Sequence, residues 1–196
     1  GGPLESLGRA TTLVLDKTGT LTSGRPRGTD VVVAPGWRVD EVLGLAASAD
    51  QLSPHVLAVA IVDEARRREL PLGVPADVEE EAGTGVSALV EGRRVHVGNL
   101  DLGSSELAAW SASVLSRASL DGAVIAWVRV DGVLAGAIML SDPLRPDAPR
   151  TLRRLRAAGI TRLVMLTGDR PAPAEQVGTV LGLDEVAARQ SPADKV

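Results

Sequence analysis

Residues 11–22 read Thr-Thr-Leu-Val-Leu-Asp-Lys-Thr-Gly-Thr-Leu-Thr. The first five form a short β-prone run, apolar at its core, that stops at Asp16 and passes into a loop of glycine and threonines. Such a run suits a strand buried on both faces of a parallel sheet. Residues 162–166, Arg-Leu-Val-Met-Leu, repeat the pattern and stop at Thr167-Gly168-Asp169. Residues 146–158 carry a helical pattern, with proline near the start, Leu152 and Leu155 on one face and Gly159 just past the end. With the apolar run 133–140 this predicts strand, helix, strand: a parallel α/β unit.

The middle of the chain reads differently. Residues 39–49 and 54–69 predict two helices, the second capped by Ser53 with Pro54 at its first position. Strands are expected at 86–90 and 93–97 around Glu91-Gly92, then a helix at 104–117. A strand at 123–130 turns through Asp131-Gly132 into 133–140. Helices followed by antiparallel hairpins predict an α+β insert. The expected architecture is thus a parallel α/β domain from residues 1–26 and 138–196, interrupted by an α+β domain at 27–137, a usual domain size. No repeat or low-complexity tract is present.

Composition narrows the classes. The 196 residues are 44% hydrophobic and 23% charged, enough for a core and too few charges for wholesale disorder. There is no cysteine, so disulfides and thiolate metal sites are excluded. No stretch has the apolar length that crosses a bilayer, and no segment resembles a signal leader that would send the chain out of the cytosol. A formal charge of −4 disfavours nucleic acid as a partner. The cluster Arg66–Arg68 ends a predicted helix and reads as a solvated face. Only Lys17 and Lys195 are lysines among 21 basic residues. Lysine is a compact point charge and arginine a planar fork, so two lysines in an arginine-rich chain mark chemical choices.

In an open parallel sheet, ligands bind beyond the carboxyl ends of the strands. Asp16 and Asp169 both fall there, and neighbouring strands would bring them to one crevice. A carboxylate in that place can attack a phosphoryl group. Phosphoryl transfer mostly needs positioning and charge neutralisation. Lys17 and Lys195 could supply positive charge, Thr18 and Thr167 hydroxyls and amides, and Gly19 a close backbone approach. A hard cation such as Mg²⁺ would bridge Asp16 and the phosphate oxygens.

The stretch Asp16-Lys17-Thr18-Gly19-Thr20-Leu21-Thr22 resembles the phosphorylation motif of P-type ATPases. Thr167-Gly168-Asp169 resembles that family's second phosphate-site motif, Asp142-Pro143 its hinge-proximal Asp-Pro, and Pro192-Ala193-Asp194-Lys195 its Pro-x-x-Lys. The resemblance covers essentially the whole chain. It implies a haloacid-dehalogenase-like Rossmannoid parallel sheet as phosphorylation domain and an antiparallel α+β nucleotide-binding domain. It further implies Asp16 as acceptor of the ATP γ-phosphate, Asp16 and Thr18 as Mg²⁺ ligands, and Lys195 at the aspartyl phosphate. Soluble phosphatases of the same superfamily usually carry a second Asp two residues after the nucleophile. Here Thr18 stands at that position, with no useful pKa as acid or base. An aspartyl phosphate should then persist, as a pump requires. A soluble phosphatase and a non-catalytic nucleotide-binding module are the alternatives.

Ser53-Pro54-His55-Val56-Leu57-Ala58 resembles the Ser-Glu-His-Pro-Leu-Ala stretch of heavy-metal P-type ATPases, with Pro54 and Val56 departing from it. The resemblance implies adenine contacts from His55, from Gly83 and Gly85, and from Gly98 and Asn99, and a nucleotide contact from Asp50, five residues before His55, where that subfamily commonly has a nucleotide-binding Glu. His96 reads as a strand-face residue, and Trp37, Trp110 and Trp127 as packing residues. The family's domain continues past Lys195 to a Gly-Asp-Gly motif, and transmembrane and actuator domains lie elsewhere in the full protein. The expectation is therefore a soluble portion of an integral membrane protein, at the cytosolic face of the cell membrane. It would bind ATP without completing a turnover cycle alone. Its further partners would be a transported metal cation, met through the membrane domain, and the actuator and transmembrane domains.

Overall fold

The computed structural model describes residues 10–81, 83–99 and 108–195. The chain divides into two compact units. One takes the residues up to Gly24 and from Asp142 onward; the other is Arg25–Ser141.

The first unit begins with β1 (Thr12–Asp16) and the turn Lys17–Leu21. The second unit runs through β2 (Arg27–Val33), α1 (Val39–Asp50), α2 (Val56–Arg67), β3 (Ala76–Glu81), β4 (Gly85–Val90), β5 (Arg93–Gly98), α3 (Ala109–Asp121), β6 (Val124–Val130) and β7 (Val133–Ser141). The first unit resumes with α4 (Ala148–Ala157), β8 (Arg162–Leu166), α5 (Pro171–Leu181), β9 (Glu185–Ala187) and the short helical turn Pro192–Lys195.

In the first unit, β1 and β9 flank β8, and both pairings are parallel. The register sets Leu13 beside Leu163 and Asp16 beside Leu166. Leu163 and Met165 are fully buried and pack with Leu152 of α4 and with Ala174 and Leu181 of α5. The two connecting helices start on prolines in their first turn, where the missing N–H costs nothing. Gly182, at φ 64°, ends α5 in the left-handed region.

The second unit is one antiparallel sheet in the order β2-β7-β6-β5-β4-β3. Val128, Val130, Val95, Val97, Ala88 and Val90 face α1 and α2, where Val42, Leu43, Ile61 and Ala65 close the core. Trp127, Ala137 and Met139 point the other way, onto Val114 and Ala118 of α3. The three tryptophans pack as the sequence suggests. Trp110 meets Trp127 edge-on at 6.2 Å, and the Arg93 guanidinium lies 4.8 Å from the Trp37 ring centre. Both hairpins expected from Glu91-Gly92 and Asp131-Gly132 form. All four residues have positive φ (51°, 78°, 52°, 81°), the two-residue turn whose twist matches the flanking strands.

Residues 133–140 do not enter a parallel strand–helix–strand unit. They form β7, antiparallel to β2 and β6. The run is apolar throughout because helices cover the sheet on both sides, α1 and α2 on one and α3 on the other. That environment writes the same pattern as a parallel sheet core. β7 continues to Ser141, so the second unit ends there and not at 137, and it begins at Arg25 and not at 27. The helix expected at 104–117 forms as Ala109–Asp121, residues 104–107 lying outside the described part. Strands β2, β3 and β9 and helix α5 were not read from the sequence. No helix among the described residues is long and apolar enough to cross a membrane.

Candidate functional site

Asp16 is the last residue of β1, in register with Leu166, the last of β8. The turn at 17–21 and the loop at 167–170 therefore leave adjacent parallel strands at the same end, as expected of a crevice site. Lys17 Nζ donates to Asp169 Oδ2 in an ion pair that is mostly shielded from solvent. Thr167 is buried, and its role here is to hold the loop. Its Oγ1 accepts the Asp169 N–H at 3.1 Å, its N–H donates to Ala187 O and its carbonyl accepts from Gln190 N. Gly168 is exposed. Lys195 closes the turn Pro192–Lys195, its side chain lying outside the described part.

The chain after Asp16 is a type II turn. Thr18 sits at φ −72°, ψ 122° and Gly19 at φ 76°, ψ −9°, the pair of conformations that requires glycine at the second central position. A Cβ on Gly19 would meet nothing within 4 Å. The glycine serves the backbone conformation, and the space beside it is open. Leu21 anchors the turn in the core, and Thr18 and Thr20 are exposed.

Asp16, Thr18 and Asp169 carry oxygen donors, which suits a hard cation. Among the described residues no three acidic or imidazole side chains gather as a metal cage.

In the second unit the predicted nucleotide residues gather around the loop between α1 and α2 and the ends of β3, β4 and β5. Helix α2 is capped by His55, not by Ser53. The His55 backbone is extended (ψ 136°) and its Nδ1 accepts the Leu57 N–H at 3.3 Å. Ser53 lies two residues back. Its Oγ accepts the His55 N–H at 3.2 Å and donates to Glu80 Oε1 at 2.8 Å. Pro54 thus precedes the cap, and Val56 takes the first helical position, where an N–H has no helical partner anyway. With Nδ1 accepting, the neutral imidazole carries its proton on Nε2, which makes exposed His55 a donor there.

Asp50 ends α1 and is 3% exposed. Burial pushes its carboxyl up to about 7, and the Glu80 carboxylate adds to the rise. Through the hydrogen bond it accepts from Ser53, Glu80 ties the Asp50–His55 loop to the edge strand, a role that sequence reasoning missed. It is one of three consecutive glutamates, and nothing in their spacing singles it out. A shallow recess beside it is lined by Asp50, Ser53, Val59, Asp63 and Arg66 among others, but by none of the glycines.

Gly85 and Gly98 face each other across β4 and β5. A Cβ on Gly85 would stand 2.7 Å from Gly98 Cα and closer still to Val97 O; one on Gly98 would collide with Thr84 O. These two glycines first let the strands meet. Gly83 has φ 86° in the preceding turn, and a Cβ there would meet nothing. The Asn99 N–H donates to Thr84 O at 2.8 Å, leaving its exposed side chain at the end of β5. His96 lies on β5, its Nδ1 3.3 Å from Ser87 Oγ, and burial with the charge of Arg129 pulls its pKa below the usual imidazole range.

The family model of haloacid dehalogenase-like hydrolases matches residues 10–195. Copper-transporting ATPase 1 of Rhizobium meliloti (strain 1021) is 39% identical over 198 residues, taking in 100% of this chain and 24% of that protein. The manganese-exporting P-type ATPase of Mycobacterium leprae (strain TN) is 37% identical over 210 residues, with 100% of this chain and 28% of that protein covered. The chain thus spans about a quarter of the length of the curated relatives it matches. A crystal structure of a zinc-transporting PIB-type ATPase in an E2.Pi state superposes with a TM-score of 0.80 at 37% identity, over 98% of this chain and 31% of that one.

Proposed function

The chain belongs to the haloacid dehalogenase-like hydrolase family, and we propose that within it this chain is the ATP-binding and phosphoryl-accepting part of a heavy-metal-transporting P-type ATPase. The observation that carries this is the pairing of Asp16 with Leu166. It sets the Asp16 turn and the Asp169 loop side by side, joined by Lys17.

The unit Arg25–Ser141 holds the nucleotide through His55 Nε2, the Gly83–Gly85 turn and Asn99. A carboxylate oxygen of Asp16 attacks the γ-phosphorus of ATP. The bond from that phosphorus to the bridging oxygen breaks, and its electron pair leaves with the ADP β-phosphate. The products are an aspartyl phosphate and ADP. Lys17 offsets the negative charge gathering there, and Asp169 holds Lys17 in place. When bound, Mg²⁺ would neutralise phosphate charge, with Asp16 and Thr18 holding it. Thr18 provides no acid or base for rapid hydrolysis, so the aspartyl phosphate outlives its formation. In the whole transporter, at the cytosolic face of the membrane, that stored intermediate would drive the actuator and transmembrane domains and move a metal cation. Thr18 weighs against a soluble phosphatase, and the intact nucleophile turn against a pure nucleotide-binding module.

The test is labelling with ATP and Mg²⁺. Acid-stable label from γ-³²P-ATP, absent with α-³²P-ATP and absent in Asp16→Asn, is expected. Equal labelling of Asp16→Asn would refute the proposal.

A further inference from the structure

We propose that Asp142 is a positioning residue for phosphoryl transfer, acting through the hydroxyl of Thr22 on the turn that follows Asp16. The proposal rests on the reading of Asp16 as acceptor.

Thr22 is completely buried. Its Oγ1 lies 2.6 Å from Asp142 Oδ2 and 3.1 Å from Lys17 O, and it accepts the Gly19 N–H at 3.1 Å. The hydroxyl has one proton and two acceptors compete for it. The carboxylate is nearer by half an ångström and charged, and a charge-assisted hydrogen bond is about twice as strong as a neutral one. Lys17 O already receives the Thr22 backbone N–H at 3.0 Å. The proton therefore goes to Asp142, and the lone pairs of Oγ1 are left for Gly19.

The Gly19 N–H belongs to the central peptide of the type II turn, the one whose carbonyl is that of Thr18. Type I and type II turns differ chiefly in the direction of this peptide. A single hydroxyl, oriented by a single carboxylate, thus selects the direction of the Thr18 carbonyl and Gly19 N–H beside the nucleophile. Without the tie, the type I alternative becomes accessible.

Asp142 is itself held in place. Its Oδ1 accepts from Ser23 Oγ at 2.9 Å, and its Oδ2 also accepts the Gly24 N–H at 3.1 Å. Ser23 N donates to Pro143 O, Thr22 bridges Leu144, and Arg145 N donates to Leu21 O. The chain leaves this unit after Gly24 and returns at Asp142. One carboxylate joins exit and return at the base of the nucleophile turn. Catalysis by Asp16, Lys17 and Asp169 does not use it directly.

The experiment compares the chain with Asp142→Asn, Thr22→Val and Thr22→Ser, each checked for folding by circular dichroism. Three quantities are read: the rate of γ-³²P uptake at saturating ATP, the ATP dissociation constant by calorimetry, and the hydrogen exchange of the Gly19 amide by NMR. Asp142→Asn and Thr22→Val should slow uptake by about tenfold or more, with ATP affinity within about twofold of wild type. The Gly19 amide should exchange about tenfold faster in both, and Thr22→Ser should restore uptake to within about threefold of wild type. Should Asp142→Asn fail to fold, the contrast between Thr22→Val and Thr22→Ser decides. Wild-type uptake in the first two variants, unchanged Gly19 exchange, or Thr22→Ser as slow as Thr22→Val would each overturn the proposal. A wild-type chain that takes no label overturns the reading of Asp16 instead, and this role with it; the two failures are distinguished by whether wild type is labelled.

Discussion

Replacing Asp50 by Asn should flatten the pH dependence of stability in the unit Arg25–Ser141. Asp50 is 3% exposed, and burial, reinforced by the Glu80 carboxylate, lifts its pKa from 3.8 to about 7. In the unfolded chain it ionises near the lower value. Between the two values the native state binds the extra proton, so stability falls as pH rises, and the loss is complete above the folded pKa. A shift of about three units at about 1.4 kcal/mol each sets a ceiling of about 4 kcal/mol. Asn keeps the shape and has no charge to bury. Urea unfolding of both proteins from about pH 5 to about pH 8 measures the difference. Trp37, Trp110 and Trp127 all lie in this unit, so tryptophan fluorescence follows it alone. Wild type should lose stability across that window. Asp50→Asn should lose far less and be the more stable protein at the alkaline end. A wild-type slope matching that of Asp50→Asn would show that Asp50 ionises normally and refute the reasoning.

His55→Ala should weaken ATP binding by about tenfold and cost about 1 kcal/mol of stability through the lost cap. His55→Asn should keep the stability, since Asn caps well, while still binding ATP poorly; calorimetry and urea unfolding separate the two. Gly85→Ala should destabilise by about 3 kcal/mol or more, because a Cβ 2.7 Å from Gly98 Cα and closer to Val97 O forces β4 and β5 apart. Gly19→Ala meets no atom but must hold φ 76°, so it should cost about 1–2 kcal/mol or flip the turn, seen as slower γ-³²P uptake with unchanged ATP affinity.

The elements legible in the sequence were those with a local cause. β1 and β8 carry unbroken apolar cores, and both Gly hairpins need positive φ that their residues announce. The elements missed lack such a cause. β3 is an acidic edge strand, exposed at all but one position, and its partners come from the tertiary fold. β2 is broken by a register shift between Gly28 and Asp30, and β9 has three residues. In the candidate site, Asp16, Lys17, Thr167 and Asp169 were legible from their places at strand ends. Glu80 and the Asp142–Thr22 contact were not, because they join residues 27 and 120 positions apart that only packing brings together. Ser53 misled as a cap because a histidine nitrogen two residues later does that work.

The central claim is that Asp16 takes the phosphoryl group. The measurement is to treat γ-phosphate-labelled protein with borohydride, which reduces an aspartyl phosphate to homoserine, and to sequence the peptides by mass spectrometry. Conversion of Asp16 alone, dependent on ATP and Mg²⁺, is the predicted result. Phosphate found on Thr18, Thr20, Thr22 or any residue other than Asp16, with Asp16 unchanged, would contradict it.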